Sequence, residues 1–538
     1  MLRRHYNQIW IECISIALLA GVFYVYLYSE LPIDDTNRFT ADIAAGRYQW
    51  DPTHLFMQPA TVLWHQYLNF GTTALISQHH INTFCALVSL VIFYLLLLRL
   101  EVIFYKRLVL TLIAAVSFNV LNLATSGHMK LTAYPFLSLA LYHAFLWEYD
   151  IKQNPQQADK SIWRLLISAV SLGIASLFLI NSIVILPFLC IAILCIMPYK
   201  RASFNQRLKL SILYGLICTI IVVGVIGLFY YIITKEMPTL SGFISFVIGN
   251  KKGERHFFSI KESIARVGFG TLLNFVYTEN LGPILRVWLN QQIPSFTRYI
   301  NILWKDIVIA GGMLAILGWV YISGGIQLYK RTIGFTAWAF LLGSLSFAFW
   351  WNLSEAEFFF QITLPTLVIA SLIPYNKMYR GIVTIWLIIA IISNVVFWAI
   401  PKKSYPFNNY IIKLQQFLKS DDLAICFAAY PGKQCMGFFL PYLKDRDMLA
   451  LDQLLLKLND KNLFFSELRE RVDEALSRTS HIYVFQALDE EDWNAPWPMF
   501  LERGLTKDRL IQFFYEHYNV HYIGEVVGIK CWELYQLR

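Results

Sequence analysis

The sequence predicts an α-helical polytopic membrane protein of about eleven transmembrane helices over residues 1–400, followed by a small extracytoplasmic α/β domain over residues 401–538. Three observations predict it. Of 538 residues, 57% are hydrophobic and only 15% charged, where soluble domains carry about 45–50% apolar and about 25% charged residues. Apolar runs of bilayer length recur through the first 400 residues, and each one needs only about 20 residues to span. Beyond Ile400 the composition turns polar, with 17 basic and 19 acidic residues in the remaining 138.

Taken in order, the apolar runs fall at about 9–29, 81–98, 108–124, 131–148, 163–180, 183–198, 210–233, 303–323, 333–351, 358–374 and 381–400. The first follows Arg3 and Arg4 and lacks a small-residue cleavage site, so it reads as a retained signal anchor. With the N-terminus in the cytoplasm, the inner connections are Arg99–Arg107, Lys152–Arg164, Lys200–Lys209, Lys330/Arg331 and Lys377–Arg380. All are basic, as the positive-inside rule requires, and an odd number of spans leaves the C-terminal domain outside. Residues 1–400 hold 28 basic against 17 acidic groups, and 16 of the 28 lie in the N-terminus and these inner loops. The net charge of +9 is therefore an orientation signal, and nucleic acid is not an expected partner.

Two outer segments are longer than turns. Residues 30–78 include an alternately apolar stretch, Thr53 to Leu68, that reads as an amphipathic helix in the interface. Residues 234–301 join the apolar run Phe243–Ile248 to the basic cluster Lys251, Lys252, Arg255 and His256. The tail shows strand-like runs at Leu423–Ala428, His481–Phe485 and Tyr522–Leu537, with helical patterns at about 447–458 and 464–477. Five of the eight cysteines lie in apolar stretches, and no C-x-x-C pair occurs. Cys426 and Cys435 are a candidate disulfide in an oxidising compartment, which spacing alone does not decide.

The strongest local chemistry opens the first outer loop: Pro32-Ile-Asp34-Asp35-Thr-Asn-Arg38-Phe39, then Gly46, His54 and Pro59. Adjacent carboxylates just past a membrane exit, with an arginine three or four residues on, suit a general base meeting a lipid-borne substrate. A solvated helix end is the alternative reading of the same residues.

This loop resembles the first outer loop of the GT-C superfamily of polyprenyl-phosphate-sugar-dependent glycosyltransferases, which includes protein mannosyltransferases and the lipid A aminoarabinose transferase. Two later segments extend the resemblance: Ser126-Gly-His128-Met-Lys130-Leu-Thr-Ala-Tyr134-Pro135, and Glu355-Ala-Glu357-Phe-Phe-Phe-Gln361 leading into Leu364-Pro365. The likeness covers about 400 residues as architecture. It departs from the pattern where relatives often place a second acidic residue and this chain has His128 and Lys130.

The resemblance implies a membrane glycosyltransferase that moves a sugar from a polyprenyl-phosphate carrier to a lipid, glycan or protein acceptor outside the cytoplasm. Asp35, or its neighbour Asp34, would be the catalytic carboxylate. Candidate phosphate contacts are Arg38, Lys130, Arg255, Lys251, Lys252 and His256, with the arginines ranked first because their planar fork suits phosphate. For the 251–256 run, a solvated loop or a lipid-headgroup contact is an equal alternative. His54, His128, Tyr134, Glu355, Glu357 and Trp351 are candidate acceptor or sugar contacts. His54 and His65 read as one face of the interfacial helix, and His79/His80 as interfacial residues. No metal-ligand set is read from the spacing, and a divalent metal remains an open cofactor.

Two other function classes compete. A lipid-linked-sugar transporter or flippase would place ionisable groups mid-membrane and show repeated halves, whereas the charges here lie at span ends. A non-catalytic assembly protein is kept open by His128 and Lys130 in place of an acid. The expected setting is a bacterial inner membrane.

Overall fold

The computed structural model describes residues 2–29, 36–68, 71–153, 161–196, 204–237, 239–248, 260–278, 281, 300–347, 356–427, 436, 439–440, 443, 446–458, 460–478, 481–489, 500 and 504–537. The chain forms two compact units, Met1–Glu279 with Ile302–Ser404, and Asn280–Asn301 with Tyr405–Arg538.

The first unit is helical: α1 Leu2–Tyr26, α2 Thr36–Ala44, α3 Met57–Leu68, α4 Ala74–Arg99, α5 Phe104–Val116, α6 Phe118–Ser126, α7 Tyr134–Gln153, α8 Ile162–Phe178, α9 Ile185–Ile196, α10 Phe204–Thr234, α11 Leu240–Ile248 and α12 Ile260–Phe275. Helices Ile300–Arg331, Phe335–Ser346, Thr363–Leu372 and Lys377–Ala390 follow, then a π-helical segment Ile391–Ala399 and a last turn Ile400–Lys403. Each expected apolar run coincides with helix, but the span count differs. Among the described residues, five helices are long and apolar enough to cross a bilayer: Gln8–Tyr26, Ala74–Arg99, Phe204–Thr234, Trp304–Arg331 and Lys377–Phe417. A sixth span forms if α5 and α6, bent by 54° at Ser117, count as one. By length and composition the expected eleven spans are not confirmed, because the other apolar helices among the described residues are shorter. The apolar helices Ile162–Phe178, Ile180–Ile196, Phe335–Ser346 and Phe359–Leu372 are only 10–17 residues long. 3-10 turns at Met129–Ala133, Ile180–Val184 and Ala356–Ile362 consume residues that hydropathy counts as span. At 1.5 Å per residue, 17 residues reach about 25 Å, short of the roughly 30 Å hydrocarbon core.

Broken helices leave backbone groups that lipid cannot satisfy. One residue satisfies three backbone groups at two such breaks. Asn394 Nδ2 donates to the carbonyls of Val116, where α5 ends, and Phe275, where α12 ends, each at 2.7 Å. Its Oδ1 accepts from Tyr277 N at 2.7 Å and from Ser393 Oγ at 3.0 Å. Nearby, Asn274 and Thr363 exchange hydrogen bonds of 3.0 and 3.2 Å.

The expected inner ends are pinned by buried charges. Glu148 accepts from the backbone N–H groups of Gly334 (2.6 Å), Phe335 (3.0 Å) and Thr336 (2.9 Å), so a carboxylate from α7 caps the helix Phe335–Ser346. Gly334 fits this turn because its φ is +109° and a Cβ would lie 2.8 Å from Leu372. Lys106 does the converse, donating to the carbonyls of Ser371 (2.7 Å) and Ile373 (2.6 Å) at a helix C-terminus. Replacing Glu148 by glutamine removes the charge facing the helix N-terminus and sets an amide donor against at least one of the three N–H groups. The expected loss is about 2–3 kcal/mol, read as a lower thermal midpoint of the detergent-solubilised protein.

The second unit holds a five-stranded sheet in the order β2-β1-β3-β5-β4, with β1 Leu423–Cys426, β2 Asp447–Ala450, β3 Ile482–Phe485, β4 Tyr518–Val526 and β5 Ile529–Gln536. The first three strands are parallel and the last two antiparallel. Leu423, Ile425, Ile482, Val484, Trp532 and Leu534 form one core with Leu451, Leu455, Phe464, Leu468, Phe513 and Phe514 of the covering helices. The expected helix 447–458 is strand over Asp447–Ala450 and helix from Leu451. Asp460 caps the helix Lys461–Ser477 by accepting from Asn462 N (2.7 Å) and Leu463 N (3.0 Å), which holds its carboxyl below the usual range. Burial and the neighbouring Glu533 and Asp422 push the Tyr483 phenol up to about 12. Cys426 is buried on β1, and Cys435 lies outside the described residues.

Candidate active site

The N-terminal end of α4 carries polar residues at helical spacing, Ser77, Gln78, His79, Asn82 and Thr83, and every one is buried. Period 3.6 puts 78, 79, 82 and 83 on neighbouring rows of one face. Polar groups buried this deeply must be paired, and their partners come from both sides of the first outer loop. Thr83 Oγ1 meets Tyr28 Oη at 3.0 Å and donates to the Ala124 carbonyl at 3.3 Å. The His79 ring stacks on Tyr28 with centroids 4.6 Å apart. Gln78 Nε2 donates to Thr40 Oγ1 of α2 at 2.8 Å. Asn82 Nδ2 donates to the His128 carbonyl at 2.7 Å.

The same frame joins the first loop to the segment after α6. Ser29, the last described residue before the loop carboxylates, donates its N–H to the Thr125 carbonyl at 3.1 Å. On the far side, Phe39 and Ile43 of α2 form one apolar cluster with Met57, Val62, Ala74 and Met129. Gly127 takes φ +74°, which lets the chain leave α6 and enter the 3-10 turn bearing Lys130. The third segment is fixed in turn: Tyr134 packs edge-on against Phe360 at 5.3 Å, and Gln361 Nε2 donates to Asn181 Oδ1 at 3.0 Å. Thus the described parts of all three sequence segments singled out for chemistry are tied together in one region.

Several candidate residues are placed directly. His128, Lys130 and Tyr134 are 2%, 3% and 1% exposed. Tyr134 is part of the packing, while His128 and Lys130 flank Met129 of the Phe39–Ile43 cluster. His54 lies in a turn before α3, its N–H bonded to the Asp51 carbonyl at 2.9 Å, so it does not share a helix face with His65. His65 instead meets Ser77 Oγ at 2.8 Å. His79, expected at the interface, is buried. Arg38 is in α2 and Glu357 in the 3-10 turn Ala356–Ile362, with side chains outside the description. Asp34, Asp35, Lys251, Lys252, Arg255, His256, Trp351 and Glu355 lie outside the described residues.

Residues that sequence reading passed over build much of the region. Gln78, Asn82 and Asn122 were legible only as polar residues interrupting apolar runs. Lys402 is 1% exposed, its Nζ 3.2 Å from Asn122 Oδ1 and 5.2 Å from the Trp398 ring. Among the described residues, no three His, Cys, Asp or Glu side chains cluster closely enough to hold a metal ion.

No protein-family profile matches the chain, and no curated protein matches it. Solved structures do. The fold is similar to that of an oligosaccharyltransferase from Archaeoglobus fulgidus, crystallised with Zn and sulfate, at 10% identity over 94% of this chain and 72% of that one, TM-score 0.51. Other matches are ArnT from Cupriavidus metallidurans (13% identity, 98% of each chain, TM-score 0.42) and the Saccharomyces cerevisiae protein O-mannosyltransferase Pmt1-Pmt2 complex (15% identity, 45% of this chain, TM-score 0.31). The chain spans 38% of the length of that yeast protein. These structural neighbours are GT-C enzymes, and at such identities the likeness is one of fold.

Proposed function

We propose that this chain is a membrane glycosyltransferase that transfers a sugar from a polyprenyl-phosphate carrier to a lipid, glycan or protein acceptor on the extracytoplasmic face of a bacterial inner membrane. The observation that supports the reading is that the described parts of the three segments are linked, the first two through α4 and the third through Tyr134, since a transfer site must bring a base, a phosphate contact and an acceptor surface together. The GT-C fold agrees with it.

Asp35, or Asp34, takes the proton from the acceptor nucleophile as that atom forms its bond to the anomeric carbon. The bond from the anomeric carbon to the phosphate oxygen breaks, and polyprenyl phosphate departs with the electron pair. Negative charge grows on that oxygen in the transition state, so preorganised cations lower the barrier. Arg38, Lys130, Lys251, Lys252, Arg255 and His256 are the candidate donors, and His54, His128, Tyr134, Trp351, Glu355 and Glu357 the candidate acceptor or sugar contacts. Arg255 and Arg38 rank first because a guanidinium grips two phosphate oxygens at once.

Arg255→Ala tests the phosphate side. The expected result is a fall of about 10- to 100-fold in kcat/KM for the lipid-linked donor, the worth of a charge-assisted contact. An unchanged value removes Arg255 from the site.

A further inference from the structure

We infer that Gln78 and Asn82 of α4 form a recognition subsite for hydroxyl groups of the transferred sugar; the inference rests on the reading of the chain as a lipid-linked-sugar transferase. The two residues stand one helical turn apart and are both fully buried. That spacing sets their Cβ atoms about 5–6 Å from each other, the scale of one sugar ring. Each commits its amide N–H group to a neighbouring element. Asn82 Nδ2 donates to the His128 carbonyl at 2.7 Å, and Gln78 Nε2 donates to Thr40 Oγ1 of α2 at 2.8 Å. The amide oxygens, Asn82 Oδ1 and Gln78 Oε1, are buried without a hydrogen-bond partner. The Asn82 orientation is fixed, because turning its amide over would set oxygen against the His128 carbonyl oxygen. His79 Nδ1, on the same turn, is a third buried atom without a partner, its ring held by stacking on Tyr28.

Buried polar atoms in folded proteins are nearly always paired. Two orphaned acceptors within one turn of one helix therefore match a ligand that brings donors. A sugar brings several hydroxyl donors, whereas an ionised phosphodiester offers only acceptors and would be repelled by the amide oxygens. The subsite accordingly takes the sugar end of the lipid-linked donor and leaves the phosphate to cationic groups elsewhere. Its place in the fold agrees, since the same two side chains hold α2 and the turn at His128. Both oxygens are shut from solvent, so a sugar reaches them as α2 parts from α4 and the Gln78–Thr40 hydrogen bond breaks. The exclusion of water is what makes such contacts selective: an analogue that lacks the hydroxyl leaves a buried acceptor unpaired.

The test uses the full-length protein in proteoliposomes with a polyprenyl-phosphate-linked sugar and its singly deoxygenated analogues, each read as kcat/KM. For the wild type, at least one deoxy analogue is expected to be about 10- to 100-fold poorer than the parent sugar, the worth of one or two buried hydrogen bonds. Asn82→Leu and Gln78→Met remove the acceptors. In each variant the penalty for one deoxy analogue is expected to shrink to within about threefold, because a missing hydroxyl no longer leaves an orphan. Loss of the bonds to His128 and Thr40 lowers activity on every sugar alike and cancels in the ratio. The two variants are independent, so the reading stays testable on one if the other is not recovered from the membrane. Wild-type rates within about twofold for all deoxy analogues would overturn the subsite alone. So would a wild-type penalty that both variants keep in full, the result expected if Gln78 and Asn82 bind only ordered water. Absence of transfer from any polyprenyl-phosphate-linked sugar would overturn the transferase reading and this inference together.

Discussion

Asp34→Asn/Asp35→Asn is expected to lose sugar transfer by about 100- to 10,000-fold while keeping wild-type yield and thermal midpoint. The chemical part follows from the role. An asparagine amide cannot accept the acceptor's proton, and general-base catalysis contributes about 10²–10⁴-fold. The structural part follows from how the loop is anchored. Ser29 on Thr125, Thr40 on Gln78, and the Phe39–Ile43–Met129 cluster hold both flanks through backbone, amide and apolar contacts. None of these uses a loop carboxylate. Single variants then divide the role: Asp35→Asn is expected to account for most of the loss, because Asp35 has the spacing to Arg38 that the family pattern uses. Transfer by the double variant at the wild-type rate would remove the base from this loop.

The largest expected effect on stability is that of Asn394→Leu. Leucine is close in size but offers neither donor nor acceptor. The carbonyls of Val116 and Phe275 and the N–H of Tyr277 all lose their side-chain partner. Each buried backbone group left unsatisfied costs about 1–3 kcal/mol, and lipid supplies no water to replace the bond. A loss of about 3–6 kcal/mol is expected, seen as a sharply lower thermal midpoint and poor recovery from the membrane. Asn394→Asp keeps the acceptor for Tyr277 but sets a carboxylate against two carbonyls, so it is expected to be destabilised as well. A midpoint within a degree of wild type for Asn394→Leu would show that the three backbone groups are satisfied without it.

Asn394 also illustrates what was legible in the sequence. Hydropathy located every apolar run, since burial in lipid demands a run of apolar side chains whatever the helix does within it. It could not see that Ser117 leaves helical geometry at ψ 135° or that 3-10 turns interrupt the runs near 130, 180 and 358. Those breaks are satisfied by partners hundreds of residues away, such as Asn394 for Val116. Strand β2 was read as helix because Asp447–Ala450 lacks β-branched residues and gains its parallel partner only through β1. The motif segments were legible as sequence, but their meeting at α4 was not, because Gln78, His79 and Asn82 act through tertiary contacts. Lys402 was hidden by bookkeeping at residue 401: counted with the polar tail, it packs instead on Asn122 of α6.

The chain is expected to use a lipid-linked sugar donor. The direct measurement is release of undecaprenyl phosphate from a set of undecaprenyl-phospho-hexoses and -pentoses by the purified protein in proteoliposomes supplied with cell-envelope acceptors. The predicted result is release with at least one donor, matched by sugar recovered on an acceptor and lost in Asp34→Asn/Asp35→Asn. Labelled lipid crossing the bilayer with every sugar still on its carrier would contradict it.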